Sequence, residues 1–376
     1  MNSINIDLPK VQEKLHISSE LDTYFQNKFS SDKLKTIQTE EKEPYMEFWE
    51  SYLQTKNIRT FQVLKNFYPQ LYFPIQKGID KTENYIDAIL KGQDSYKSLQ
   101  EQIQVIDEDG FSITLHKYII GAIPVLSVKH DNDFVTIVQS LLHKNNPVVI
   151  PQSMGAFLAN GINNWARIHS LKEKWIKDNP FGNWNNEFSR NILPNPDLYK
   201  DKIIVLSSKP YSNISSERLN LSEEQWKSYS YSIRLEHEYT HLYTLKRYGY
   251  ASNNLHDELI ADYIGISKTL GSYNKEWMLL FIGLEDYPKY REGARLQNYL
   301  GDVNLPEEGF KKLTEIIKDA IESISNFDKK LGGIKSDKDH ICRIEALCEI
   351  DLLNIAAGSG CSMLIKKYNE KLISIF

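Results

Sequence analysis

Large apolar side chains recur every three or four residues through 43–68 (EPYMEFWESYLQTKNIRTFQVLKNFY), the period of a helix with one buried face. A second such segment, 82–92 (TENYIDAILKG), closes on a glycine placed as a helix stop. The period then changes. Apolar and polar residues alternate on both sides of Asp107–Gly110 in IQVIDEDGFSITLHKY, which predicts a hairpin turning there, and AIPVLSVKH at 122–130 supplies a third strand. Helical spacing returns in DFVTIVQSLLHK and NNWARIHSLKEKWIKD, with PVVIP short and extended between them.

A polar, aromatic loop is expected over 180–196, followed by the clearest strand of the second half, KDKIIVLSS at 200–208. At Lys202–Ser207 that strand is either internal to a sheet, the commoner case, or an edge along which an extended peptide pairs. From Ser222 onward nearly every segment reads as helix. The pattern predicts an α+β protein, with residues 1–200 mixed helix and short strand and residues 201–376 mainly helical; the soft boundary lies near 196–215. A chain of 376 residues is large for a single core, so two coupled halves are the default.

The most specific chemical signal lies in the helical half. His237-Glu238-Tyr-Thr-His241 sits on a helix with a visible start and stop: Ser222-Glu-Glu-Gln225 fits a capping box, and Gly249 suits a left-handed terminus. Positions four apart lie nearly above one another at about 100° per residue, so both imidazoles can face one centre with Glu238 beside them. After the turn GYASN comes a second helical pattern, NLHDELIADYIGISKTL, opened by Asn253 or Asn254. Glu258 and Asp262 share a face of it, so one can bind metal while the other accepts the free N–H of a ligand histidine. His256 points about 200° away from Glu258 on the same helix and is not expected to share the site. The ordinary alternative is a polar helix face whose histidines hydrogen-bond in the interior.

HEYTH followed on the next helix by ELIAD resembles the active site of gluzincin-type zinc metallopeptidases. The resemblance covers roughly residues 222–266. It implies His237, His241 and Glu258 as zinc ligands, Glu238 as general base and Asp262 behind a ligand, in a metallopeptidase-like second half. Sixteen residues separate His241 from Glu258, toward the short end for that group. The metzincin pattern does not fit, because Thr244 and Arg247 hold the positions it gives to glycine and histidine.

The expected activity is therefore zinc-dependent hydrolysis of a peptide or amide bond, in which zinc acidifies a water and polarises the carbonyl while Glu238 carries the proton. Zn2+ is the expected cofactor and a peptide or small amide the expected substrate. The alternatives are a zinc enzyme acting on a small metabolite by other chemistry, and a non-catalytic protein whose metal is structural or sensing. Tyr211, His340 and Arg343 are candidates for stabilising an oxyanion. Arg291, Arg295 and Tyr299 read as a solvated helix face, or alternatively as a clamp for a substrate carboxylate.

Charge and composition narrow the classes further. A net charge of −5 without a basic stripe argues against nucleic acid. The first 22 residues lack an apolar run after a basic segment, and the longest apolar stretch, 118–128, has about half the roughly 20 residues a membrane helix needs. No secretory signal and no membrane partner are expected, and a cytoplasmic location is. Cys342, Cys348 and Cys361 form no C-x-x-C pair and read as free thiols. PQSMGAFLANG lacks the G-x-S-x-G pattern of a serine nucleophile.

Overall fold

The alternating positions build a four-stranded sheet in the order β1-β2-β4-β3. The computed structural model describes residues 24–29, 34–35, 43–54, 59–251, 254–301 and 305–374. β1 (Phe111–Tyr118) turns through Ile119 and Ile120 into β2 (Gly121–Val128), antiparallel from Phe111 opposite Val128 to Tyr118 opposite Gly121. The hairpin thus turns eight residues or more beyond Asp107–Gly110. Residues 103–106 join no ladder; the Ile103 amide goes to the Tyr72 carbonyl (3.2 Å), and the carboxylate of Asp133 accepts the amides of Ile106 (2.7 Å) and Asp107 (3.0 Å). Asp107 in turn accepts from Asp109 N and caps the short turn Glu108–Gly110.

β3 (Ala156–Asn163) was hidden in the sequence by its small and polar residues and by an irregularity between Asn160 and Ile162, where Gly161 takes φ +81°. β4 (Lys200–Ser207) lies between β2, parallel to it, and β3, antiparallel to it. β2 pairs with its residues 204–207 and β3 with its residues 200–206, so β4 is internal to the sheet and the peptide-edge reading of Lys202–Ser207 is overturned; Ile203, Ile204, Val205 and Leu206 are wholly buried. PVVIP joins no strand; its two prolines offer no amide to a ladder.

Helices α1 (Met46–Gln54) and α2 (Thr60–Phe67) bury Trp49, Phe61 and Leu64 in one core with Phe111, Leu126 and Val205 of the sheet. α3 (Glu83–Lys91) ends at Gly92, φ +65°; α4 (Asp131–Leu141) and α5 (Trp165–Asp178) complete the main helices here. The 180–196 stretch winds into a helical turn at Trp184–Glu187 and a π turn at Phe188–Ile192. Near the start of β4 Asp201 is fully buried and accepts from Trp49 Nε1, Tyr68 OH, Asn164 Nδ2 and Arg167. A buried carboxylate persists only when so satisfied.

These elements form one compact unit, Gln38–Asn213; the other runs from Ile214 to Phe376 together with described residues of the first 37. Because β4 belongs to the sheet of the first unit, the division falls at Asn213/Ile214 and not at residue 200.

Among the described residues, the regular elements of the second unit are all helices. α6 (Glu223–Tyr248) starts where Ser222 Oγ accepts Gln225 N at 3.2 Å and stops at Gly249, φ +68°. α7 (Leu255–Leu270) is capped by Asn254 and ends at Gly271, φ +81°. α8 (Lys275–Ile282), α9 (Glu307–Leu331), α10 (Asp337–Glu349), α11 (Leu352–Ala356) and α12 (Gly360–Ser374) follow. The backbones of α6 and α7 nearly touch: a Cβ on Gly265 would lie 2.7 Å from the carbonyl oxygen of Ile233. Buried ion pairs tie the remaining helices in. Glu345 accepts from Tyr243 OH and Arg247 Nε, both at 2.7 Å, and Arg343 joins Asp328 of α9 to Asp339 of α10. No helix among the described residues is long and apolar enough to cross a membrane. The three cysteines are free thiols.

Candidate metal centre

Close packing of α6 on α7 brings three donors to one point. His237 and His241 are one turn apart, their rings nearly perpendicular at 80°, with the two Nε2 atoms 3.0 Å from each other. Glu258, in the first turn of α7, places Oε2 3.4 Å from His237 Nε2 and Oε1 3.5 Å from His241 Nε2. Ligands at 2.0–2.2 Å on a tetrahedral cation stand about 3.3–3.6 Å apart. The triangle therefore matches the face of such a site, with the two imidazoles slightly close. All three donors lie within 4.8 Å of one another, and they could hold a metal ion.

The opposite ring nitrogens are each met by a carboxylate. His237 Nδ1 lies 2.8 Å from Asp262 Oδ1, one turn beyond Glu258 on α7. His241 Nδ1 lies 3.3 Å from Asp257 Oδ2, at ion-pair range but off the line of a hydrogen bond. Such partners fix which ring nitrogen is left to a metal and turn the ring toward it. Asp257 and Asp262 are 0% exposed, whereas His237, Glu238, His241 and Glu258 each retain 6–8%. The four converging residues thus keep a little exposure and the two supporting carboxylates none.

Arg295 closes the arrangement from the segment Arg295–Tyr299, in which Arg295 and Tyr299 are both buried and do not form a solvated helix face. Its guanidinium lies 3.3 Å from Glu258 Oε2 and 3.2 Å from Asp262 Oδ2, while Nε donates to Tyr299 OH at 2.6 Å. Tyr299 is anchored in turn: its carbonyl accepts from Tyr24 OH (3.0 Å), which also accepts from Leu255 N at the start of α7. Arg291 is occupied elsewhere, by Glu285 and the Leu280 carbonyl.

The electrostatics are those of charges gathered in a dry place. Burial alone would lower the imidazolium of His237, but Asp262 and Glu258 outweigh it and hold the pKa up at about 9. His241 rises well above its ordinary value for the same reason, with Asp257 and Glu258 overcoming burial. Burial would raise Glu258, yet the two histidines keep it well below the usual carboxylate range. Glu238 behaves differently: burial raises it, and the pull of His237 and His241 offsets this only in part.

His256 points away, its Nε2–H donating to the Leu347 carbonyl at 2.9 Å, and Tyr243 turns to Glu345. Arg343 is committed to Asp328, Asp339, Tyr263 OH and the Gly332 carbonyl, so it serves as a tie between helices and not as an oxyanion donor. His340 is buried on α10, and Tyr211 sits in the turn after β4 in the first unit. Asp257 is the member that sequence reasoning missed, although legible in principle as the neighbour of Glu258. Arg295 reads from the sequence only as a solvated face or a clamp for a substrate carboxylate; it is paired instead with the protein's own Glu258 and Asp262, which lie too far back along the chain to give a local signal.

The chain belongs to a family of unknown function, DUF7005, whose sequence profile matches residues 7–359. No curated protein and no solved structure matches it.

Proposed function

We propose that the chain is a zinc-dependent hydrolase of amide or peptide bonds, similar in its chemistry to the gluzincin metallopeptidases, with His237, His241 and Glu258 as ligands. The observation that carries this reading is the triangle of donors whose two outer imidazole nitrogens are each backed by a buried carboxylate. Two imidazoles and one carboxylate suit zinc and leave a fourth position open. When bound, such a cation polarises a carbonyl and brings the acidity of a water toward neutrality.

Glu238 supplies the remaining function. It adjoins the cluster, keeps a little solvent contact and is raised in pKa by burial, which makes its carboxylate a stronger base near neutral pH. It takes the proton of the attacking water and returns it to the departing amine nitrogen. Asp262 and Asp257 hold the imidazoles in place. A merely structural metal would have no use for a base at this position.

The slight exposure of all four residues favours a second reading of the substrate, a small amide in place of an extended polypeptide. The test is elemental analysis of the purified chain beside His237→Ala and Glu258→Ala, with turnover assayed on peptide and small-amide panels. One zinc per chain, lost in both variants, together with amide turnover abolished in Glu238→Gln, is the expected result. Full zinc retention by Glu258→Ala would remove that ligand from the site.

A further inference from the structure

The site keeps a positive charge of its own. Three buried carboxylates, Asp257, Glu258 and Asp262, crowd two imidazoles, and Arg295 bridges two of the three, Glu258 and Asp262. It does so through Glu258 Oε2, while Oε1 faces His241. The guanidinium is itself set in place by Tyr299, whose hydroxyl accepts from Nε and whose backbone is tied through Tyr24 to the first residue of α7. Buried carboxylates deprived of a counter-charge repel one another and pull apart, and removing one partner of such a pair is strongly destabilising.

Resting on the reading that His237, His241 and Glu258 hold a divalent cation, we infer that Arg295 is a positioning residue that substitutes for the metal's charge, keeping Glu258 and Asp262 gathered while the metal is absent. The chain then folds before it is loaded, and the cation enters a site already assembled. Many small metal sites work the other way, with folding waiting for the metal.

The experiment compares the full-length wild type with Arg295→Ala and Arg295→Lys, measuring the melting temperature in excess EDTA and with one equivalent of zinc, and zinc content by mass spectrometry. Wild type should stay folded in EDTA and rise modestly with zinc. Arg295→Ala should melt much lower in EDTA yet recover most of the loss with zinc, widening the gap between the two conditions by roughly 5–15 °C. Arg295→Lys, which keeps the charge, should stay near wild type. An equal fall of Arg295→Ala in both conditions, failure of zinc to rescue it, or a lysine variant no better than the alanine one would overturn the inference while leaving the metal site standing. Absence of zinc binding by wild type itself would instead overturn the site, and this inference with it.

Discussion

His237 Nδ1 and Asp262 Oδ1 are 2.8 Å apart, and Asp262 is wholly sealed from solvent while His237 keeps a slight exposure. The corresponding pair on the second ring, His241 with Asp257, is longer at 3.3 Å and poorly aligned. Loss of such a partner typically costs 10–100-fold in metal affinity. Asp262→Ala should fall at the upper end of that range and Asp257→Ala nearer the lower, measured by competition with a chromophoric chelator. Equal or reversed losses would show that ring orientation does not depend on these contacts.

Gly265 sets the distance between the two site helices. Its missing Cβ would stand 2.7 Å from a backbone oxygen that cannot move aside cheaply, so Gly265→Ala must separate α6 from α7 near the middle of their contact. We expect a loss of about 1–3 kcal/mol in stability together with weaker zinc binding, although residue 265 touches no ligand. Unchanged unfolding midpoint and affinity in this variant would sink the idea that close packing builds the site.

Acid sensitivity should come from a histidine outside the site. Burial holds His340 down to about 3, and Lys268 and Arg343 push the same way against Asp339; burial lowers His256 as well. In the unfolded chain either ring titrates near 6.5. Between those values the unfolded state carries a proton that the folded state refuses, so the stability is complete above about pH 6.5 and drains away as pH falls. The folding constant should drop by up to about tenfold per pH unit for each such histidine. Urea midpoints at pH 7.5, 5.5 and 4.5 check this; His340→Gln should flatten the decline, and a parallel decline in that variant would rule His340 out as a source.

Asp201 offers a control in the first unit. Removing its carboxylate strands Arg167, 2.6 Å away and 5% exposed, as an unpaired buried charge. Asp201→Ala should cost about 3–5 kcal/mol in chemical denaturation while folded protein keeps its full zinc content. A variant that folds as well as wild type would mean that this network contributes little.

The sequence by itself determined the two helices on which the site stands. Ser222 and Gly249 bound α6, Asn254 opens α7, and the four-residue spacings put His237 above His241 and Glu258 above Asp262. These features are legible because capping and helical period act within a turn or two of chain. Tertiary structure decided what distant groups would do. Tyr72 and Asp133 took the amides of Ile103 and Ile106, β2 and β3 took both edges of β4, and Arg295 came from a later segment to the carboxylates of α7. A hydrogen-bonding or charged group has several partners it could satisfy, and only the packing of remote elements chooses among them.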